Sequence, residues 1–273
     1  LPWLMRNTVF IYYNLEIYTP MEAGRRCKGR FWEIRYRLLY LENKIKEIAY
    51  TKSCKVFTIQ DKLRKKTSQK YFIRHPNTLF IPNSYYYYKE NIPKTKGEGI
   101  VYSGELNKLL LEQLMEGLAT VPNLPITFSG WNDDWFIKKF KQLKQTHPDI
   151  KVYTAMLSPD QYTQFLCHFA VGLVWYTPIE DENINNIGMS SGKLFKHLSL
   201  GQPVIVNECP GMSRVVQKLG LGIVIQDVSD LIEAYNRIMK QYESYRNNVL
   251  KIYRNKFDFV KVVSPLLDQL DNF

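Results

Sequence analysis

Two hydrophobic periods alternate along the second half of the chain. Short apolar runs ending in small residues, Ile100-Val-Tyr-Ser-Gly104, Ile126-Thr-Phe-Ser-Gly130 and Lys151-Val-Tyr-Thr-Ala155, read as strands, as do Ala170 to Tyr176, Pro203-Val-Ile-Val206 and Gly222-Ile-Val-Ile225. The Ala170 run is almost continuously apolar, the pattern of a strand covered on both faces of a parallel sheet. Between these runs apolar residues recur at helical spacing. One set is Leu110, Leu114 and Leu118 with Leu111 and Met115 beside them; others are a helix from Trp131 to Gln145, then Tyr162, Phe165, Leu166 and Phe169, and then Leu231, Ile232, Tyr235, Ile238 and Met239. Ser158-Pro-Asp-Gln161 supplies an N-cap, a proline at the first helical position and a capping-box glutamine. The alternation predicts an α/β fold with a doubly wound parallel sheet, in which ligands gather outside the carboxyl ends of the strands. The loops after Gly104, Gly130, Ala155, Tyr176 and Val206 are therefore the candidate binding loops.

The first half carries fewer elements. Thr8 to Tyr13 reads as a strand, Phe31 to Tyr50 as a long basic helix, Lys55 to Ile59 as a strand, Gln60 to Lys70 as a helix and Thr78 to Ile81 as a strand. Asn83 to Gly97, with four consecutive tyrosines, Pro93 and mixed lysine and glycine, reads as a linker, with a boundary near Ile92. Phe259, Val262, Val263, Leu266, Leu267 and Leu270 mark a C-terminal helix. The expected organisation is a first α/β domain over 1–92, a second over 93–256, and a helix in 257–273 that docks back on the first; two domains suit 273 residues. Leu1 to Tyr18 has neither a charged segment leading into an apolar core nor a small-residue cleavage site, so the chain is expected to start inside a domain.

Charge changes the picture of the first half. The formal balance is +11, and the stretch from Arg25 to Arg74 holds 16 Lys and Arg against 4 Asp and Glu, so the excess lies there and the second half is near neutral. Such a segment suits an anionic membrane surface better than nucleic acid, because no nucleic-acid motif accompanies it. The longest apolar run, about Phe165 to Trp175, is too short to span a bilayer. Cys27, Cys54, Cys167 and Cys209 form no paired motif, which fits a reducing, cytoplasmic setting.

The densest candidate chemistry lies between Asn183 and Val206. Ser190, Ser191 and Gly192 open a helix that bears Lys193, and the first amides of a helix have no internal acceptors, which makes such a start a site for phosphate groups. A Walker loop does not fit, because Gly188 is one residue too close to the Gly-Lys pair and Leu194 follows the lysine. His75, His147, His168 and His197 lack metal-ligand spacing and read as structural, although His197, four residues after Lys193, is placed to share its helix face.

Ile100-Val-Tyr-Ser-Gly104, Phe128-Ser-Gly130, Ser158 to Val174, Gly192-Lys-Leu-Phe-Lys-His-Leu-Ser-Leu-Gly-Gln-Pro-Val-Ile-Val206 and Gly220-Leu-Gly-Ile-Val224 together resemble the sugar-nucleotide half of GT-B glycosyltransferases of the group 1, family 4-like type. Tyr13-Asn-Leu-Glu16, Phe57-Thr-Ile-Gln-Asp61 with Arg64, and Ile81-Pro-Asn83 resemble the closing part of the N-terminal domain of those enzymes, whose earlier strands and glycine-rich first loop have no counterpart here.

The resemblance implies a GT-B-like fold with an incomplete N-terminal α/β domain, and a transfer from a nucleotide-sugar donor to a polysaccharide or lipid-linked acceptor. It places the Gly104 loop near the donor diphosphate, with Lys108 as the positive charge there because Glu105 stands where many relatives are basic. It lets Gly130 admit the nucleotide closely, and it gives Ser190, Ser191, Gly192 and Lys193 the diphosphate. The family's Glu-x7-Glu pair falls on Gly188 and Lys196, and Lys196 cannot accept hydrogen bonds from ribose hydroxyls. Glu16 is the candidate acceptor-side base. No cofactor or metal is expected, since no Asp-x-Asp type cluster accompanies the site. Two further readings follow from the departures and the charge: a non-catalytic GT-B-like interaction protein, and a basic nucleic-acid-binding protein.

Overall fold

The computed structural model describes residues 9–17, 30–72, 74–178 and 182–271, with the side chains of residues 30–33 left aside. Cys27 and the residues of the basic segment at 25–29 and 73 lie outside the described residues, as does Thr8 at the start of the first expected strand. In chain order the elements are β1 (Ile11–Tyr13), α1 (Arg30–Ser53), β2 (Val56–Ile59), α2 (Lys62–Tyr71), β3 (Thr78–Phe80), β4 (Ile100–Ser103), α3 (Lys108–Leu118), β5 (Ile126–Ser129), α4 (Asp134–Thr146), β6 (Lys151–Tyr153), α5 (Pro159–Leu166) and β7 (Val171–Val174). They continue with α6 (Glu182–Asn185), α7 (Gly192–Ser199), β8 (Val204–Asn207), α8 (Met212–Leu219), β9 (Gly222–Ile225), α9 (Leu231–Lys240), α10 (Tyr242–Ile252) and α11 (Phe259–Leu270). They form two compact units, one from Leu1–Asn83, Pro178–Ser190 and Val260–Phe273, the other from Ser84–Thr177 and Ser191–Phe259.

The first unit is built on a parallel sheet in the order β1-β2-β3, with Ile11 opposite Val56 and Phe57 opposite Thr78. Val56, Phe57, Thr58 and Ile59 are all buried, as a central strand requires. Helix α2 starts where Asp61 Oδ1 accepts from the Arg64 amide at 2.9 Å, which leaves Lys62 rather than Gln60 as its first residue. Gln60 is held back by its own bond, Nε2 donating to the Asn14 carbonyl at 2.8 Å. The second Asp61 oxygen, Oδ2, accepts from the Met189 amide at 2.7 Å, and the Asn183 side chain bonds Ile17 at both N and O at 2.9 Å. Asn77 Nδ2 donates to Gln269 Oε1 of α11 at 2.9 Å.

The second unit contains a six-stranded sheet in the order β6-β5-β4-β7-β8-β9, every pair parallel. Counting strands within this unit, the order is 3-2-1-4-5-6, so the winding reverses between β4 and β7. Side chains alternate across β4: Ile100 and Tyr102 join the large core with Leu111, Leu114, Phe128 and Leu173, while Val101 packs with Leu166 and Leu200 on the opposite face. In α3 the buried residues are Leu111, Leu114, Met115 and Leu118, with Leu110 only partly covered. The capping box of α5 forms as the sequence predicts, Ser158 Oγ accepting from the Gln161 amide and Gln161 Oε1 from the Ser158 amide.

Two further boundaries differ from the expected ones. Helix α4 begins at Asp134 instead of Trp131, because Leu106 and Asn132 extend the parallel pairing past the strand ends and Asp133 then caps the helix through the Phe136 amide at 2.8 Å. The division between units falls between Asn83 and Ser84, ahead of Ile92. The tyrosine segment is not free linker: the Tyr85 amide donates to Tyr253 Oη, which donates back to the Tyr85 carbonyl, both at 2.8 Å, and the Tyr87 amide donates to Asp258.

Candidate functional site

The reversal of winding in the second unit sets the loop after β4 beside the segment after β7, and the candidate residues that converge do so there. Gly104 ends β4 with φ +148° and Gly130 ends β5 with φ +146°. The two lie back to back, since a Cβ on Gly130 would stand 1.8 Å from the Gly104 carbonyl oxygen. A Cβ on Gly104 would in turn lie 2.4 Å from Lys193 Cε. The absence of a side chain at Gly104 is thus what admits the lysine.

Lys193 stands in the first turn of α7. Its Nζ donates to Tyr102 Oη at 2.8 Å and lies 4.5 Å from the centre of the Tyr102 ring and 4.9 Å from that of Tyr176. The residue as a whole is half-buried while its ammonium end is enclosed. Burial draws the Lys193 pKa down to about 8, against the opposing pull of Glu105. The same burial raises Tyr102 strongly and pushes Tyr176 up to about 12, so both phenols stay neutral across the physiological range. The ring faces supply cation–π attraction without a counter-charge. The result is an ammonium that, among the described residues, has no carboxylate bonded to it, a group suited to an anionic ligand.

The start of α7 is fixed by Ser191, whose Oγ accepts from the Leu194 amide at 3.1 Å and meets Tyr176 Oη at 2.9 Å. Tyr176 is itself aligned by Asn207, which donates to its carbonyl at 2.8 Å and accepts from its amide at 2.9 Å. Gly104, Gly130, Ser191, Gly192 and Lys193 therefore form one constellation in the second unit. Tyr102, Tyr176 and Asn207 belong to it as well and escaped the sequence reading. Tyr102 lies within the Ile100 to Gly104 motif and Tyr176 closes the apolar run that begins at Ala170, which was the available signal.

Other expected residues are placed elsewhere. Ser190 belongs to the first unit, in a 3-10 turn with Gly188 and Met189, where its Oγ donates to the Ile187 carbonyl at 2.8 Å. Lys108 is exposed on α3 and pairs along the helix with Glu112 at 3.4 Å. Lys196 donates to Thr163 Oγ1 of α5 at 2.6 Å and lies over the Tyr85 ring at 5.2 Å, its pKa lowered by burial. Gly188, at the first position of the family's acidic pair, has φ +44° and makes room for Asp61, whose Oδ2 would be 2.2 Å from an added Cβ. Glu16 is exposed in the loop that follows β1 in the first unit.

His197 does not share an open face with Lys193. It is fully buried, with Nδ1 at 2.8 Å from Gln202 Oε1 and the ring against Gly172. Gln202 Nε2 donates to the Leu166 and Phe169 carbonyls, which orients its oxygen toward the imidazole and makes Nδ1 the protonated nitrogen. Burial lowers the His197 pKa to about 4. Among the described residues no group of three or more His, Cys, Asp or Glu side chains is placed to hold a metal ion, and no helix is long and apolar enough to cross a membrane.

Solved structures that this chain resembles include glycosyltransferases. WaaG, involved in lipopolysaccharide biosynthesis, matches with TM-score 0.64 at 15% identity over 95% of this chain and 74% of its own. Anabaena Alr3699/HepE, solved in complex with UDP-glucose, matches with TM-score 0.68 at 12% identity over 97% of this chain and 73% of its own. The lipopolysaccharide outer core galactosyltransferase WaaB matches with TM-score 0.60 at 14% identity over 99% and 77%. At these identities the likeness establishes the GT-B fold. A sequence search of curated proteins finds no match. A family model, "Glucosyltransferase 3-like, C-terminal domain", covers residues 100–256, more than half of the sequence and all of the constellation around Lys193, and the chain accordingly belongs to the glucosyltransferase 3-like family.

Proposed function

We propose that this protein moves a sugar from a nucleotide-sugar donor to a glycan or lipid-linked acceptor, with the donor diphosphate bound in the second unit at the Gly104 loop and the start of α7. The observation that carries the reading is the seating of Lys193 Nζ against the Tyr102 and Tyr176 rings, beside the side-chain-free Gly104, at the reversal of the sheet. Breaking the bond between sugar and diphosphate develops negative charge on the leaving phosphate. A fixed ammonium and the Gly192 and Lys193 amides at the positive end of α7 stabilise charge where it appears, without reorganising. In this reading those groups supply the positive charge and no metal is required. Glu16 is the proposed acceptor-side base, and Lys196 and Ser190 hold the donor only indirectly, through the segments they anchor.

The excess of Lys and Arg between Arg25 and Arg74 suits an anionic surface, so we place the protein on the cytoplasmic face of the membrane, where a lipid-linked acceptor would be presented. UDP-glucose is the first donor to test, since HepE is in complex with it. Calorimetric titration with UDP and UDP-glucose, followed by detection of released UDP in the presence of lipid and glycan acceptors, tests the proposal. Failure of every nucleoside diphosphate and nucleotide sugar to bind at millimolar concentration would sink the donor site.

A second reading is a GT-B-like protein that binds without turnover. It is favoured by Lys196, which occupies the position of the family's second glutamate and is engaged with Thr163. Donor binding with no UDP release under any acceptor condition would select it.

A further inference from the structure

The two rings that seat Lys193 Nζ are held by different means. Tyr102 lies inside β4, with β5 on one side and β7 on the other, opposite Phe128 and Leu173. Tyr176 lies beyond β7, whose pairing with β8 ends at Val174 opposite Val206, so the sheet ladder does not place it. Asn207, the last residue of β8, extends the ladder with its side chain. Its Oδ1 accepts from the Tyr176 amide at 2.9 Å and its Nδ2 donates to the Tyr176 carbonyl at 2.8 Å. A carboxamide that grips both backbone groups of one residue leaves it little freedom to turn, and so fixes the direction of its side chain.

Two consequences meet at Tyr176. Its ring lies 4.9 Å from Lys193 Nζ, and its Oη lies 2.9 Å from Ser191 Oγ, the atom that caps α7 by accepting from the Leu194 amide. One side chain thus steadies both the ammonium and the helix start. Asn207 steadies that side chain while being itself buried, only 4% exposed, with both ends of its amide used on Tyr176.

We propose that Asn207 is a positioning residue for the donor site, acting through Tyr176 on Lys193 and on the start of α7. The proposal rests on the donor-site reading above and adds to it a residue that does not itself meet the diphosphate. A smaller apolar side chain in its place frees Tyr176 to turn away, which loosens the ammonium and the helix start together.

Calorimetric titration with UDP on single and double variants provides the test, with circular dichroism to confirm the fold of each. Tyr176→Leu and Asn207→Ala are each expected to weaken UDP binding by about tenfold. In the Tyr176→Leu background, Asn207→Ala is expected to add less than about twofold, because the route through Tyr176 is already cut. Tyr176→Phe keeps the ring and loses only the bond to Ser191, and is expected to weaken binding by about threefold. A pH profile separates positioning from support of the fold. Lys193 is faced by the Tyr102 and Tyr176 phenols and by Glu105, and the UDP affinity of the parent should begin to fall near pH 8. In Asn207→Ala that pH should rise, since a displaced ring readmits water to the ammonium, whereas in Tyr176→Phe it should stay. Should Asn207→Ala fail to fold, Asn207→Leu, which keeps more of the volume, carries the same comparison. An Asn207 variant that binds UDP like the parent, costs the same factor with and without Tyr176→Leu, or leaves the pH of the fall unmoved would overturn the proposal and spare the donor site. A parent chain that binds no UDP would overturn both.

Discussion

The carbonyl oxygen of Gly104 occupies the space in which a side chain on Gly130 would begin, 1.8 Å from an ideal Cβ. Two adjacent strands thus end in glycines that depend on one another, and the second protects the backbone path of the first. Gly130→Ala has to shift the Gly104 loop as well as adopt a positive φ of 146°. It is expected to lower stability by about 3 kcal/mol and to weaken nucleotide binding with it. Urea unfolding and UDP titration on the same variant measure the two effects.

Asp61 offers a comparable test in the first unit. One carboxylate oxygen caps α2 and the other receives the Met189 amide, so Asp61→Ala removes both bonds and is expected to cost about 2 kcal/mol. Asp61→Asn keeps an oxygen for only one of these amides and is expected to fall between. Equal stabilities for the three proteins in chemical denaturation would remove this role.

Acid should weaken the protein through His197. Its pKa in the folded chain is about 4, below the ordinary 6.5, so between these values the unfolded chain binds a proton that the folded chain refuses. The stability associated with the neutral, buried ring is complete above pH 6.5 and is lost as pH falls toward 4, by up to about 3 kcal/mol. His197→Phe is expected to be less stable at pH 7, because Gln202 Oε1 loses its donor, but to show a flatter dependence over that interval. Unfolding free energies measured every half unit of pH would reveal the difference in slope.

What could be read in the sequence was what is local. The capping box at Ser158 and Gln161 is written within four residues, and it formed as expected. The six strands of the second sheet were legible because β4, β5, β7 and β8 are apolar runs buried along their length, β6 is followed closely by a small residue and β9 is a short apolar run, all alternating with helices. The start of α4 was not legible, because it depends on pairing between Leu106 and Asn132 across two loops. The surroundings of Lys193 were hidden for the same reason: Tyr102 lies in a strand far earlier in the chain, and only the reversal between β4 and β7 brings them together. Ser190 and Ser191, neighbours in sequence and alike in chemistry, fall in different units, a division that residue type does not encode. His197 and Lys193 share a helix, yet one turn takes the chain from the loop side into the contact with Gly172.

Lys193 makes the sharpest functional prediction, because stability and binding should move in opposite directions. Its pKa of about 8 lies below the ordinary lysine value of 10.5, so the folded chain carries the desolvation cost of the ammonium at all pH values below 8 and is relieved of it as pH rises from 8 to 10.5. Lys193→Met removes that cost and is expected to raise stability at pH 7 by about 1 to 3 kcal/mol. The same change deletes the cation proposed to meet the diphosphate, and UDP affinity should fall by about tenfold to a hundredfold, the range for a hydrogen bond to a charged group. With lysine in place, UDP affinity should fall as pH rises above 8, by up to about tenfold per unit, since binding then requires the uptake of a proton. The methionine variant should lack this component. Thermal unfolding and UDP titration at pH 7 and 9 on both proteins complete the comparison, and a variant that is less stable and binds UDP as well as the parent would show that Lys193 serves the fold alone.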